Sequence, residues 1–457
     1  MKTLFAHLCG YAELGRISFA MPGHKGGRGF SADFKEKLVM TDVTELADTE
    51  NLHAPKQTLA QAQERLARLY GSKKSFFLTG GSTEGVHIMI YAACAGGKLL
   101  VNRSCHRSVI NCCVLSGIEP VFIPQETDAQ LLVAKCVTPE SVEKCFIENP
   151  DAAAVLITTP SYYGQIADVE AIAKVCHRHG APLLADEAHG AHFAADGMPM
   201  GAVYCGADMA VQSAHKTLNA LNQAAYLHVS GDIIDIARVT ALTSMIGTSS
   251  PSYPIAASAQ LAAEELSDGS WRRLADYIEE KKRGLLKRTR LFMSEGDPAR
   301  AVFGFRDYDI TGYEVERRLR QEYNIDIEMS DYKNAVCIIT PSNTQEEIDL
   351  LFEAVERICA ETGRGGGMLL PSAPLPTAAV SPKRAFYADG ETVPLEKAAG
   401  RVSKALVCAY PPGIALVCFG EQISKEMIEY INTIREMGAS VEGLEPDGGV
   451  SVMLESI

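Results

Sequence analysis

Apolar residues recur in short runs along the first half of the chain, and amphipathic stretches separate them. Ser75-Phe76-Phe77-Leu78, Leu99-Leu100-Val101, Val121-Phe122-Ile123, Ala152 to Ile157, Pro182 to Ala185, Met209 to Val211 and Ala224 to Val229 read as strands. Leu59, Ala62, Leu66 and Leu69 share one helical face that stops near Gly71, and Ile88, Ala92 and Ala93 mark another helix. Asp168 caps a third, with Val169, Ile172, Ala173 and Cys176 on one face and Gly180 closing it. The repeating β-α-β order predicts an α/β fold with a mostly parallel sheet covered by helices on both faces.

The pattern then changes. A helical stretch from about 255 to 295 leads to a smaller α+β unit. There Thr311-Gly312-Tyr313-Glu314 and Thr344-Gln345-Glu346-Glu347 both fit capping boxes. Ile325 to Met329 alternates apolar and acidic residues as a half-buried strand does, with Val336-Cys337-Ile338-Ile339 as its expected neighbour. Gly365-Gly366-Gly367, Pro371, Pro374, Pro376 and Pro382 mark a linker. Beyond it lie a strand near Ala415 to Cys418 and a helix near Lys425 to Met437. The expected organisation is an arm over 1–50, a large domain over 51–255, a small α+β domain over 256–362, a linker over 363–383 and a C-terminal domain over 384–457.

Composition narrows the class. At 457 residues the chain is long enough for about two or three domains. Its 47% hydrophobic and 22% charged residues suit a soluble protein. A net charge of -14, with no basic block, argues against a nucleic-acid partner. Thirteen cysteines without paired spacing fit reduced thiols in the cytoplasm better than a disulfide framework or a metal site. The first ten residues are too interrupted for a signal peptide, and no apolar run is long enough to span a bilayer, so no membrane association is expected.

The chemistry gathers at strand ends. One strand delivers Ser213-Ala214-His215-Lys216-Thr217, and another delivers Asp186-Glu187-Ala188-His189. In open α/β sheets, ligands sit at such ends. A lysine and an aspartate there suit pyridoxal phosphate: the lysine forms a Schiff base with the aldehyde, and the aspartate keeps the pyridine nitrogen protonated. Strand, glycine turn and helix start at Thr79-Gly80-Gly81-Ser82-Thr83 make a phosphate cradle, favoured by free N–H groups and the helix dipole. His106 could stack on a planar ring, and the basic, glycine-rich run Met21 to Gly29, with His24 and Lys25, could meet an anion. Each feature alone also fits an ordinary turn or surface residue; together they point to the cofactor.

These stretches resemble the Orn/Lys/Arg decarboxylase class-I family. The resemblance rests on Pro22 to Gly27, Asp42-Val43-Thr44-Glu45-Leu46, Gly81-Ser82-Thr83, Cys105 to Ser108, Asp186 to His192, Ser213 to Leu218, Ser250-Pro251-Ser252-Tyr253 and Tyr410-Pro411-Pro412-Gly413-Ile414, in the family's order. It implies a fold-type-I, aspartate-aminotransferase-like large domain and decarboxylation of arginine, with lysine or ornithine next, to CO2 and a polyamine precursor. Carried over by position, Lys216 is the Schiff-base lysine, Asp186 meets the pyridine nitrogen, His106 stacks on one ring face and Ala188 packs on the other. Gly81, Ser82, Thr83, Ser213 and His215 hold or border the phosphate, and Lys216 or His215 returns a proton to the substrate. The resemblance also implies a homodimer or higher homo-oligomer with shared active sites, in which the Pro22-to-Gly27 loop and the turn at Ser249-Ser250 serve the partner's cofactor. Glu328, Asp331 and Glu421 are candidates for the substrate's basic end. Asn219 and Asn222 depart from the residues usual in the family. The resemblance is to the shorter biosynthetic branch, for which no large ring assembly is expected. Rival readings are another fold-type-I chemistry, aminotransferase or lyase, and a non-catalytic regulatory relative.

Overall fold

A computed structural model describes residues 3–454 apart from 47, 95, 364, 366–372, 411 and 412. Gly366, Gly367 and Pro371 of the expected linker, and Pro411-Pro412 of the late motif, lie outside these residues. The N-terminal arm carries a helix, Leu4–Ala12, and a strand, β1 (Ile17–Phe19).

Among the described residues, seven strands form the central sheet: β2 (Lys74–Leu78), β3 (Lys98–Asn102), β4 (Glu119–Ile123), β5 (Ala152–Thr158), β6 (Leu183–Asp186), β7 (Met209–Gln212) and β8 (Ala225–Val229), in the order β2-β8-β7-β6-β5-β3-β4. β8 runs antiparallel to both β7 and β2, and the other pairings are parallel. β2 therefore points the same way as β7. The carboxyl ends of β2, β3, β5, β6 and β7 share one edge, and the chemistry-bearing loops leave from it. The inner strands are largely apolar because helices cover both faces: Leu99, Leu100, Leu183 and Leu184 are fully buried. Each such side chain contributes roughly 1.5–3 kcal/mol.

The helix Gly81–Ala93 follows β2 and lies close on the sheet. Gly85 permits that approach, since a Cβ there would stand 2.4 Å from Val211 Cγ2 of β7. The contact brings the start of this helix beside the Ser213 loop.

The expected helix over 255–295 is two helices, Tyr253–Glu264 and Ser270–Arg288. Between them the Asp268 side chain accepts the Ser270 N–H at 2.7 Å, and Gly269, at φ 74°, precedes the second helix. A helix at Ile236–Ile246, capped by Asp235, was not anticipated. The Thr344–Glu347 capping box is complete, whereas at Thr311 only the threonine caps, and Glu314 pairs with Arg317 instead.

The smaller unit contains β9 (Phe292–Met293), β10 (Arg300–Gly304), β11 (Ile325–Ile327), β12 (Met329–Ser330) and β13 (Asn334–Ile338). β12, β13, β10 and β9 form an antiparallel sheet. The single strand expected over Ile325 to Met329 breaks at Glu328: β12 pairs with β13 as foreseen, but β11 leaves to pair in parallel with β1 of the arm. The arm is thus stitched into its own chain, with Phe19 fully buried. The C-terminal segment forms a sheet from Val407–Tyr410, Ile414–Val417 and Ser440–Glu442, packed by Met427, Ile428, Ile431 and Ile434 of the helix Lys425–Glu436.

Candidate active site

A cavity of about 650 Å³ opens at the carboxyl edge of the central sheet. Gly81, Ser82 and Thr83 border it from the β2–helix turn, His106 from the loop after β3, and Thr158 and Tyr162 from the end of β5. Asp186, Ala188 and His189 enter after β6, and Ser213, His215 and Lys216 after β7. Met21 of the arm, Glu328 and the C-terminal residues Tyr410, Gly413 and Ile414 complete the wall.

Local hydrogen bonds set the lysine loop. Ser213 N–H donates to Ala188 O at 3.2 Å, and His215 N–H to Ala224 O at 3.3 Å, tying the loop to its two neighbours. Gly23 N–H donates to His215 O at 2.8 Å. A Cβ on Gly23 would stand 2.5 Å from Leu218 O, so only glycine lets the arm lie this close. The Pro22-to-Gly27 loop is therefore docked against the lysine loop of its own chain.

Charge and burial shape the cavity floor. Asp186 is buried and accepts one hydrogen bond, from Ala188 N–H at 3.3 Å. Burial raises its pKa, and the Lys216 charge opposes that rise. Burial pulls Lys216 down to about 8, with Asp186 and Glu328 acting the other way. Its Nζ lies 3.0 Å from His189 Nε2. His215 donates from Nδ1 to Ala224 O at 3.0 Å, and burial lowers it to about 4. His106 stands open to the cavity, yet the surrounding protein and then Lys216 lower it to about 4 as well. The Ser213 hydroxyl donates to Ser82 Oγ at 2.8 Å, joining the lysine loop to the helix start.

Of the expected contacts with the substrate's basic end, Glu328 alone borders the cavity. It accepts Tyr162 Oη–H at 2.5 Å and Met21 N–H at 2.8 Å. The others have different partners. Glu421 holds Arg103 in a two-pronged pair at 2.5 and 2.9 Å and accepts Cys418 N–H at 2.6 Å. Asp331 closes a turn, accepting from Tyr163 Oη at 2.7 Å and Asn334 N at 2.7 Å. Lys25 Nζ donates to Ala20 O and Ile338 O at 2.6 and 3.1 Å, and burial lowers it to about 7. His24 accepts Gly27 N–H at 2.9 Å beside Phe30. Ser250 sits in an exposed turn outside this chain's cavity.

Two residues near the lysine were not singled out from the sequence. His189 lay unremarked inside a quoted motif, and Arg300 starts β10, far away in the chain. Arg300 is 1% exposed and donates from Nη2 to His189 Nδ1 at 2.7 Å.

Comparison with known proteins decides the family. The model for the "Orn/Lys/Arg decarboxylase, major domain" matches residues 2–295, and that for the "Orn/Lys/Arg decarboxylase, C-terminal domain" matches 370–453. The chain belongs to the Orn/Lys/Arg decarboxylase family. Within it, the arginine decarboxylase of Bacillus subtilis is 34% identical over 97% of this chain and 95% of its own. The structure of the lysine decarboxylase of Francisella novicida superposes with a TM-score of 0.77 at 19% identity, covering 94% of this chain and 78% of that one. A structure described as SPT with PLP superposes with a TM-score of 0.59 at 17% identity, covering 75% and 87%. The family's fold is therefore that of the fold-type-I pyridoxal-phosphate enzymes, as the sequence implied.

Proposed function

We propose that this family member decarboxylates a basic amino acid, arginine first, with pyridoxal phosphate as cofactor. The observation that carries this reading is the convergence of Lys216, Asp186, His106 and the Gly81 helix start on one cavity. The arginine decarboxylases that match nearly the whole chain favour arginine; the lysine decarboxylase fold keeps lysine as the second reading.

The residues present fit the cofactor. Asp186 is a buried carboxylate with a single hydrogen bond among the described residues, so a cationic pyridine N–H would complete it. Thr158 Oγ1, on the cavity wall, is buried and has no hydrogen-bond partner among the described residues. The helix start at Gly81, with the hydroxyls of Ser82, Thr83 and Ser213, offers donors to a phosphate. Lys216 would hold the aldehyde carbon, His106 would face the ring and Ala188 its other side. When bound, pyridoxal phosphate supplies a protonated ring that takes up the electron pair left as CO2 departs.

The chain's own groups then have separate tasks. Asp186 holds the cationic ring nitrogen and is most useful when charge develops. Lys216 Nζ accepts a proton from the incoming α-ammonium and later returns it to Cα, so it ends as it began. The ammonium product consumes one solvent proton per CO2. His215, neutral near pH 7 with Nδ1–H bound to Ala224 O, presents a bare Nε2 and can only accept; the return of the proton is therefore assigned to Lys216 alone. Glu328 offers the substrate's cationic side chain a carboxylate held in place by Tyr162 and Met21 N–H.

A homodimer is part of this reading. Leu4 and Phe5 of the arm helix are 74% and 77% exposed, which favours a partner surface, and Ser250 is free to serve the neighbouring cavity. The thirteen cysteines are all unpaired, which favours a reducing, cytoplasmic setting, and among the described residues no helix is long and apolar enough to cross a membrane. The amine product would be a polyamine precursor. The test is borohydride fixation of cofactor-loaded protein followed by peptide mapping: the label is expected on Lys216, and a label on another lysine would overturn the assignment.

A further inference from the structure

The arrangement behind Lys216 obeys a strict donor and acceptor order. A guanidinium has donors only. Arg300 Nη2 lies 2.7 Å from His189 Nδ1, so Nδ1 must be the accepting, unprotonated nitrogen. The neutral ring then carries its proton on Nε2. That N–H points at Lys216 Nζ, 3.0 Å away. A lysine nitrogen accepts a hydrogen bond only through a lone pair, which the ammonium lacks.

We propose that Arg300 and His189 are positioning residues that form a donor relay and hold Lys216 as a neutral amine. This deepens the proposed function and rests on the reading that Lys216 carries the cofactor.

Three observations support the relay. Arg300 is buried beside Asp297 and over the Tyr162 ring, yet among the described residues its Nε and Nη1 have no hydrogen-bond partner, so the bond to His189 is the one hydrogen bond its guanidinium makes. Burying a guanidinium with so few partners is unfavourable unless it serves a purpose elsewhere. His189 is 5% exposed and braced edge-on by Tyr162, with ring centroids 4.9 Å apart, so its imidazole has little room to turn. Burial, then Lys216 and Arg300, push the His189 pKa well below its ordinary value, which keeps the ring neutral. From the elements packed around it, Lys216 faces Asp186 and Glu328, which favour its charge, and Arg300, His106 and His215, which do not gain from it.

The relay has two consequences at one atom. Before the cofactor binds, Lys216 offers the lone pair that attack on an aldehyde requires. Once it has taken the substrate's proton, the ammonium faces an N–H that cannot accept from it. The locked tautomer therefore makes the ammonium a stronger acid and favours delivery of that proton to carbon.

The test uses the full-length chain freed of cofactor. Its amines are acylated with acetic anhydride across a pH series, and the Lys216 peptide is quantified by mass spectrometry against the other lysines. In the unsubstituted chain, labelling of Lys216 should be half-maximal at about 8 or below. His189→Phe keeps the Arg300 charge and deepens the burial, so burial and charge alone predict an equal or lower midpoint. The relay predicts the opposite: a rise of about one unit, or roughly tenfold less labelling near neutral pH. His189→Leu repeats the loss should the phenylalanine variant fail to fold. His189→Gln, whose carboxamide retains an N–H donor, should restore the low midpoint. An unchanged or lowered midpoint in the apolar variants would overturn the relay. Uptake of pyridoxal phosphate, followed by its visible absorbance, separates the two readings. An unsubstituted chain that takes up none would refute the role of Lys216 itself, whereas normal uptake with unchanged labelling in the variants would refute the relay alone.

Discussion

Tyr162 Oη donates to Glu328 Oε1 at 2.5 Å, and this contact fixes the carboxylate that borders the cavity beside Lys216. Glu328 stands where the strand expected over Ile325 to Met329 breaks between two sheets. The break turns a half-buried strand position into a wall of the site.

If Glu328 receives the substrate's cationic end, Glu328→Gln should raise KM for arginine roughly 10- to 100-fold, the loss of a charge-assisted hydrogen bond. Turnover at saturation should change less. Steady-state kinetics would show this; an unchanged KM would move the recognition of the side chain elsewhere.

Asp186→Ala removes the carboxylate that would stabilise charge developing on the ring. Turnover should fall by roughly 10²–10³, with cofactor still retained through Lys216. Single-turnover CO2 release, measured beside cofactor absorbance, checks both halves. Normal release would refute the role of Asp186.

Glu421, once a candidate for the substrate, locks the C-terminal segment to the loop that carries His106. Arg103, its partner, also lies over the Phe122 ring at 4.4 Å. Glu421→Ala leaves a buried guanidinium without its carboxylate, and urea unfolding should show a loss of about 3–5 kcal/mol. A loss below about 1 kcal/mol would mean that the pair is solvated.

His228 gives the chain a pH-dependent stability. It is fully buried between Ser75 Oγ and Gln212 Oε1, and burial lowers it to about 3. Between that value and the ordinary 6.5, the unfolded chain binds the proton and the folded chain does not. Stability therefore rises with pH through this window, is complete above the upper value, and is lost as pH falls below it. From pH 7 to 5 the loss should be about 2 kcal/mol from His228 alone. Urea titrations at the two pH values measure it, and His228→Gln should flatten the difference.

The central sheet was legible because its strands are continuous apolar runs separated by capped helices, so local pattern and global fold agree. The lysine, the aspartate and the glycine turn were legible for the same reason: each leaves a strand end whose place the β-α-β order sets. What escaped depends on contacts between distant parts of the chain. The strand in the arm went unread because Ile17 pairs with Ile325, a partner no local pattern announces. Asp331, Glu421 and Lys25 carry charge, and sequence alone does not tell a buried charge with partners from one facing a ligand. His189 and Arg300 escaped because their meaning lies in which nitrogen meets which, a matter of angstroms across 111 residues of sequence separation.

The most direct measurement is product identification by mass spectrometry after cofactor-loaded protein is given arginine, lysine and ornithine separately. CO2 should be released with the matching amine, most rapidly from arginine, and neither should come from the Lys216→Ala variant. Keto-acid products, or no amine from any of the three with the cofactor bound, would contradict the proposed function.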